Sequence, residues 1–167
     1  FYAIPIPILV YKLKLGRNNG LIISVISLFM ITLMSGGINP FVIYVSIHIL
    51  LGYLMAEAIE HNLSIESTII YPCAGAFLTG TVGFILYCSL KGTTALATIS
   101  GIAFEFLKLI EKAGGQLNMT EIQLQTISGK IAEIFPASTM VSLLLCAVIT
   151  LLITKVILFK KNLVSSE

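Results

Sequence analysis

The chain has 167 residues, of which 57% are hydrophobic and 11% charged, and its mean hydropathy is +1.01. Soluble domains carry about 25% charged residues, and a water-borne fold this oily would expose apolar patches far beyond what monomers bear, so a bilayer is the expected solvent. Ten Lys and Arg against eight acidic residues leave a net charge of +2, too even a balance for a nucleic-acid-binding surface.

Taken from the N-terminus, the chain opens at Phe1 inside an apolar stretch. Residues 1–11 are too few to cross a bilayer, which takes about 20 residues. They read as a partial half-helix, and the chain as a single membrane domain that is a fragment of a longer protein. No basic region precedes the apolar run, which argues against a signal peptide. Pro5 and Pro7 cannot both sit inside a regular helix without freeing backbone groups. Either they break a helix beside a cavity, as discontinuous membrane helices do at substrate sites, or they mark an ordinary helix start.

Four segments are apolar and long enough to be spans, near residues 21–36, 41–58, 67–90 and 137–159. Gly36-Gly37-Ile38-Asn39-Pro40 is turn chemistry between the first two. Pro72 is expected near the start of the third, and Pro136 at the start of the fourth. Cys73, Cys88 and Cys146 all lie in apolar runs and read as small buried hydrophobes. Cys73 and Cys88 would stand roughly 22 Å apart on one helix, beyond disulfide reach.

Within the second span His48 is the one ionisable residue well inside an apolar segment, and such residues are functional candidates by default. Tyr44 and Gly52 fall at four-residue spacing from it, with Met55 beyond. This stripe is either a ligand-contacting face or a neutral histidine bonded to a neighbouring helix. His61, Glu57 and Glu60 cluster in the loop expected at residues 57–66; a solvated helix end is the simpler reading than a metal site. In the third span Ala76–Gly80 and Thr79–Gly83 are small-xxx-small pairs suited to close helix packing.

Residues 92–135 are too polar to span. Leu96, Ile99, Ala103, Phe106 and Ile110 recur at helical spacing, and Gly114-Gly115 ends that helix. Asn118 with Glu121 three residues on starts a second one, capping-box fashion, turning Ile127, Ile131 and Ile134 to one side until Phe135. The pair is expected to form an extracytoplasmic amphipathic hairpin, lying at the interface or folded over a cavity.

Lys12, Lys14 and Arg17 precede the first span, and Lys160 and Lys161 follow the last. By the positive-inside rule residues 12–17 and 160–161 are cytoplasmic, and four crossings return the chain to the same face. The acidic loop at 57–66 would share that face, in tension with the basic residues there. Lys155 near the boundary is expected to snorkel.

The expected fold is therefore all-α, a polytopic transmembrane helical bundle with an outer amphipathic helical hairpin. No paired carboxylates, nucleophile elbow, phosphate loop or metal-ligand cluster appears, so no enzyme activity, metal or cofactor is expected.

The order of features also carries a resemblance. The proline-rich half-helix Pro5-Ile6-Pro7 runs into a basic, Gly-containing loop, Tyr11-Lys12-Leu13-Lys14-Leu15-Gly16-Arg17; a Gly-rich helix hairpin follows from Gly36-Gly37 to Gly52; then come a long span, an amphipathic insert and a final span. This resembles the YybS-like family of bacterial membrane proteins, which is similar in turn to the substrate-binding S components of energy-coupling-factor vitamin transporters. The resemblance implies further helices on both sides and binding of a small molecule from outside the cell, within a transport complex in the bacterial cytoplasmic membrane. On that reading Pro5, Pro7, Tyr44, His48 and Gly52 contact the solute. The competing expectation is a scaffold subunit that meets other membrane subunits during envelope growth through its small-residue faces. A lipid-acting enzyme ranks below both.

Overall fold

The computed structural model describes residues 4–112 and 120–160, with side chains through Val156. Six α-helices and no strand occur among the described residues: α1 Pro5–Leu15, α2 Arg17–Met34, α3 Pro40–Glu60, α4 Ile65–Leu90, α5 Ala95–Lys112 and α6 Glu121–Lys160. Four of them, α2, α3, α4 and α6, are long and apolar enough to cross a membrane.

Local chemistry accounts for the helix limits. Asn39 caps α3 by accepting from the Val42 amide at 3.0 Å, and Pro40 opens the helix, where its missing N–H would have had no partner anyway. The helices α2, α3 and α4 end alike. At α2, Gly37 donates to the Thr32 carbonyl and Gly36 to Leu33; at α3, Leu63 donates to Ala58 and Asn62 to Ile59; at α4, Thr93 donates to Cys88 and Gly92 to Ser89. Each is a Schellman stop, whose pivot residue takes a left-handed conformation: Gly36, Asn62 and Gly92, with φ of 72°, 51° and 67°.

Several elements differ from the sequence reading. The basic stretch Tyr11–Arg17 is helical apart from Gly16, whose φ of 83° makes the turn from α1 to α2. Of the two readings left open for Pro5 and Pro7, the helix start is the one seen: both stand in the first turn of α1, where a missing N–H costs little. Glu57 and Glu60 belong to the last turn of α3, leaving a turn of only four residues, 61–64, before α4. Pro72 lies inside α4 and Pro136 inside α6, rather than at helix starts. Thus the second insert helix and the final span are one 40-residue helix. Beside Pro136, the hydroxyls of Ser138 and Thr139 both donate to the Phe135 carbonyl, at 2.9 and 2.8 Å; the carbonyl that loses its helical N–H partner to the proline is that of Ala132, one turn earlier. The cap of α6 is Thr120 with Gln123, each side chain accepting from the other's amide. Asn118, Gly114 and Gly115 lie outside the described residues.

The chain divides into two compact units, Phe1–Val82 with Met140–Glu167, and Gly83–Thr139. In the first, Leu9 of α1, Ile47, Leu51 and Met55 of α3, Cys73 and Ala76 of α4, and Leu143, Cys146 and Ala147 of α6 form one buried core. The Cys73 thiol donates to the Leu143 carbonyl at 3.5 Å. α2 buries only Gly20 and presents Leu21, Ile22, Val25, Ile26 and Phe29 outward, as a helix against acyl chains does. In the second unit the end of α4, α5 and the start of α6 come together through side chains: Cys88 donates to Thr98 at 3.5 Å, Ser100 and Ser128 bond at 3.3 Å, and Lys108 pairs with Glu121 at 3.2 Å. These pairings run α5 antiparallel to the start of α6. α5 itself buries no residue, leaving Ile102, Phe106 and Leu109 exposed on one stripe.

Candidate functional site

Polar chemistry in the first unit gathers along α3, at two levels. The first is His48. Its Nδ1 stands 2.9 Å from the Tyr44 carbonyl one turn back, and the two rings lie 4.6 Å apart. A carbonyl only accepts, so Nδ1 carries the proton and Nε2 presents a lone pair. His48 is 1% exposed, and Nε2 has no hydrogen-bond partner among the described residues. One turn further along, Gly52 meets α1 backbone to backbone. A Cβ there would lie 2.6 Å from the Pro5 carbonyl oxygen and 2.9 Å from its Cα. Of the residues read from sequence as a solute site, Pro5 and Gly52 are thus joined as a packing contact, Tyr44 and His48 are joined on α3, and Pro7 is exposed.

The small residues of α4 divide likewise. Ala76 is fully buried, and a Cβ at Gly80 would strike the Ile47 side chain at 2.3 Å. Thr79 is exposed with its hydroxyl on the Gly75 carbonyl, and a Cβ at Gly83 would meet no atom within 4 Å.

The second level, two turns on at the end of α3, is a charge cluster that the sequence reading did not assemble. Lys12 of α1 is fully buried. Its ammonium pairs with the Glu57 carboxylate, lies 3.6 Å from Glu60, donates to the Tyr53 carbonyl at 3.4 Å and sits 4.1 Å above the Tyr53 ring. The other Glu57 oxygen lies 3.4 Å from Arg17 and 3.7 Å from His61. A buried cation is tolerated only when its donors are met this fully. Gly20 of α2 makes the room: a Cβ there would stand 2.7 Å from both Cβ and Cγ of Lys12. Two signals in the sequence pointed here. Pro5, Ile8, Leu9 and Lys12 share one buried helical face, and the acids at 57 and 60 were expected on the same side of the membrane as the lysines. Treating 11–17 and 57–66 as loops hid both, because loops carry no facing periodicity. Among the described residues no group of three or more His, Cys, Asp or Glu is placed to hold a metal.

Compared with known proteins, residues 1–164 match the sequence model of a family described as "Predicted membrane protein (DUF2232)". No curated protein and no solved structure matches the chain.

Proposed function

The chain belongs to the DUF2232 family of predicted membrane proteins, and from that premise we propose that it is a small-molecule-binding or transport subunit of the bacterial cytoplasmic membrane, akin to an S component. The reading rests on His48 Nε2, a buried acceptor within a membrane helix with no partner among the described residues. Leaving such a group unsatisfied costs about 1–3 kcal/mol, and ionisable groups within membrane helices tend to mark pathways and ligand sites. A solute offering an N–H or O–H would meet this lone pair, with the Tyr44 ring beside it. The role assigned is binding, without chemistry on the solute. Lys12–Arg17 and Lys160–Lys161 face the cytosol by the positive-inside rule.

The test is a thermal-unfolding screen of the detergent-solubilised protein against vitamins and polar metabolites. A ligand of the folded state must raise its melting temperature. At least one compound should do so, and His48→Ala should abolish that shift while the unliganded protein melts close to wild type. A panel with no stabilising compound sinks the reading. A His48→Ala protein that melts early yet still binds makes the histidine structural. The exposed Thr79 and open Gly83 edge of α4 favours a second reading, a scaffold subunit, for which a stable protein partner should co-purify.

A further inference from the structure

We propose that Tyr53, Glu57 and Glu60 of α3 form a binding site for a primary ammonium group, and that Lys12 is its tethered occupant. α1 would then be docked by a cationic head that a free alkylammonium of matching length can replace.

The geometry is that of an ammonium cage rather than a surface ion pair. An ammonium has three donors and spherical charge. Here it finds a carboxylate at Glu57, a backbone carbonyl at Tyr53, a second carboxylate at Glu60 and the face of an aromatic ring. A ring within about 6 Å of a cation attracts it, more strongly when water is excluded, and Lys12 is wholly excluded from water. Every cage group comes from α3, within its last eight residues, about two turns. The site therefore needs only one helix to be built, and α1 contributes only its occupant. The apolar stem is accommodated separately, through the missing side chain of Gly20. A head-group cage with the missing side chain of Gly20 beside the base of the stem suits a short alkylammonium. The joint between α1 and α2 is the single residue Gly16, with no atom within 4 Å of the space where a Cβ would be, which leaves α1 a pivot at the base of its occupant.

Lys12→Ala removes three methylenes and the ammonium, and n-propylammonium replaces those atoms. In thermal unfolding of the full chain in detergent, Lys12→Ala should melt below wild type. Added n-propylammonium should raise its melting temperature in a saturable manner, as ligand binding to the folded state requires. Tetramethylammonium at equal ionic strength should do much less, having no N–H to donate, and wild type should respond to neither. Lys12→Ala combined with Glu57→Gln should lose the response. If n-propylammonium stabilises no more than tetramethylammonium, or stabilises wild type equally, the proposal is overturned. Should Lys12→Ala fail to fold, Lys12→Met supplies the test in reverse: a neutral stem of similar length takes the place of the lysine, and a melting temperature equal to wild type would show that the cage does not select an ammonium. The His48 reading is independent of either result.

Discussion

Removing the Lys12 ammonium would leave Glu57 and Glu60 one turn apart, with Arg17 as the remaining cation paired to Glu57. Breaking a buried pair from one side usually costs about 3–5 kcal/mol. Because Glu57 is 21% exposed and keeps Arg17 at 3.4 Å, Lys12→Met is expected to cost somewhat less than that range, about 2–3 kcal/mol. A double variant with Glu57→Gln should lose less than the two single losses combined, since the second change removes an already stranded charge. Thermal or denaturant unfolding of the four proteins measures this; strict additivity would mean that the two groups are not coupled. The pair was not legible in the sequence because its members are 45 residues apart, and composition reports charge but not who meets whom. His48 was legible, since an imidazole in an apolar run stands out by itself. Its open nitrogen was not, because that depends on which neighbour takes the other one.

At the scale of elements, α6 shows how a proline misleads a reading of helix limits. Pro136 falls where polar sequence gives way to apolar sequence, which looks like a boundary between two helices. The helix continues through it, because the proline removes only one donor and so frees only one carbonyl, that of Ala132 one turn earlier. Restoring the missing N–H by Pro136→Ala should leave the helical signal in circular dichroism unchanged and the melting temperature equal or higher. Thr120→Ala should instead lower stability by about 1 kcal/mol through loss of the cap. A loss of helix in Pro136→Ala would mean that the proline is required for the shape of α6. The stops of α2 and α4 were within reach of sequence reasoning, since Gly36 and Gly92 are suited to left-handed pivots. That of α3 uses Asn62, a residue equally common in ordinary turns.

For the whole molecule, the Arg17–Glu57 ion pair joins the start of α2 to the end of α3. If α2, α3 and α4 each cross once, as their length and composition allow, these two ends are expected on one side of the membrane and the turns at Ile38 and after α4 on the other. Single cysteines at Asn19 and Ser64 should be labelled by an impermeant maleimide only after cells are opened. Those at Ile38 and Thr94 should be labelled on intact cells. The native Cys73, Cys88 and Cys146 are buried and should contribute little background. Asn19 and Ser64 falling in different classes would contradict the packing, and both reacting on intact cells would reverse the proposed orientation.

The oily composition and its breaks determined, without any structure, that this is a helical membrane protein and roughly where its long helices run. Bilayer solvation acts on each segment separately, so a one-dimensional count suffices for it. Only the folded chain decided that Lys12 enters the end of α3, that Gly20 and Gly52 are places of contact, and that Ala76 and Gly80 pack while Thr79 and Gly83 do not. Those outcomes depend on which faces of different helices meet, and lipid, being as apolar as the side chains, favours no face over another.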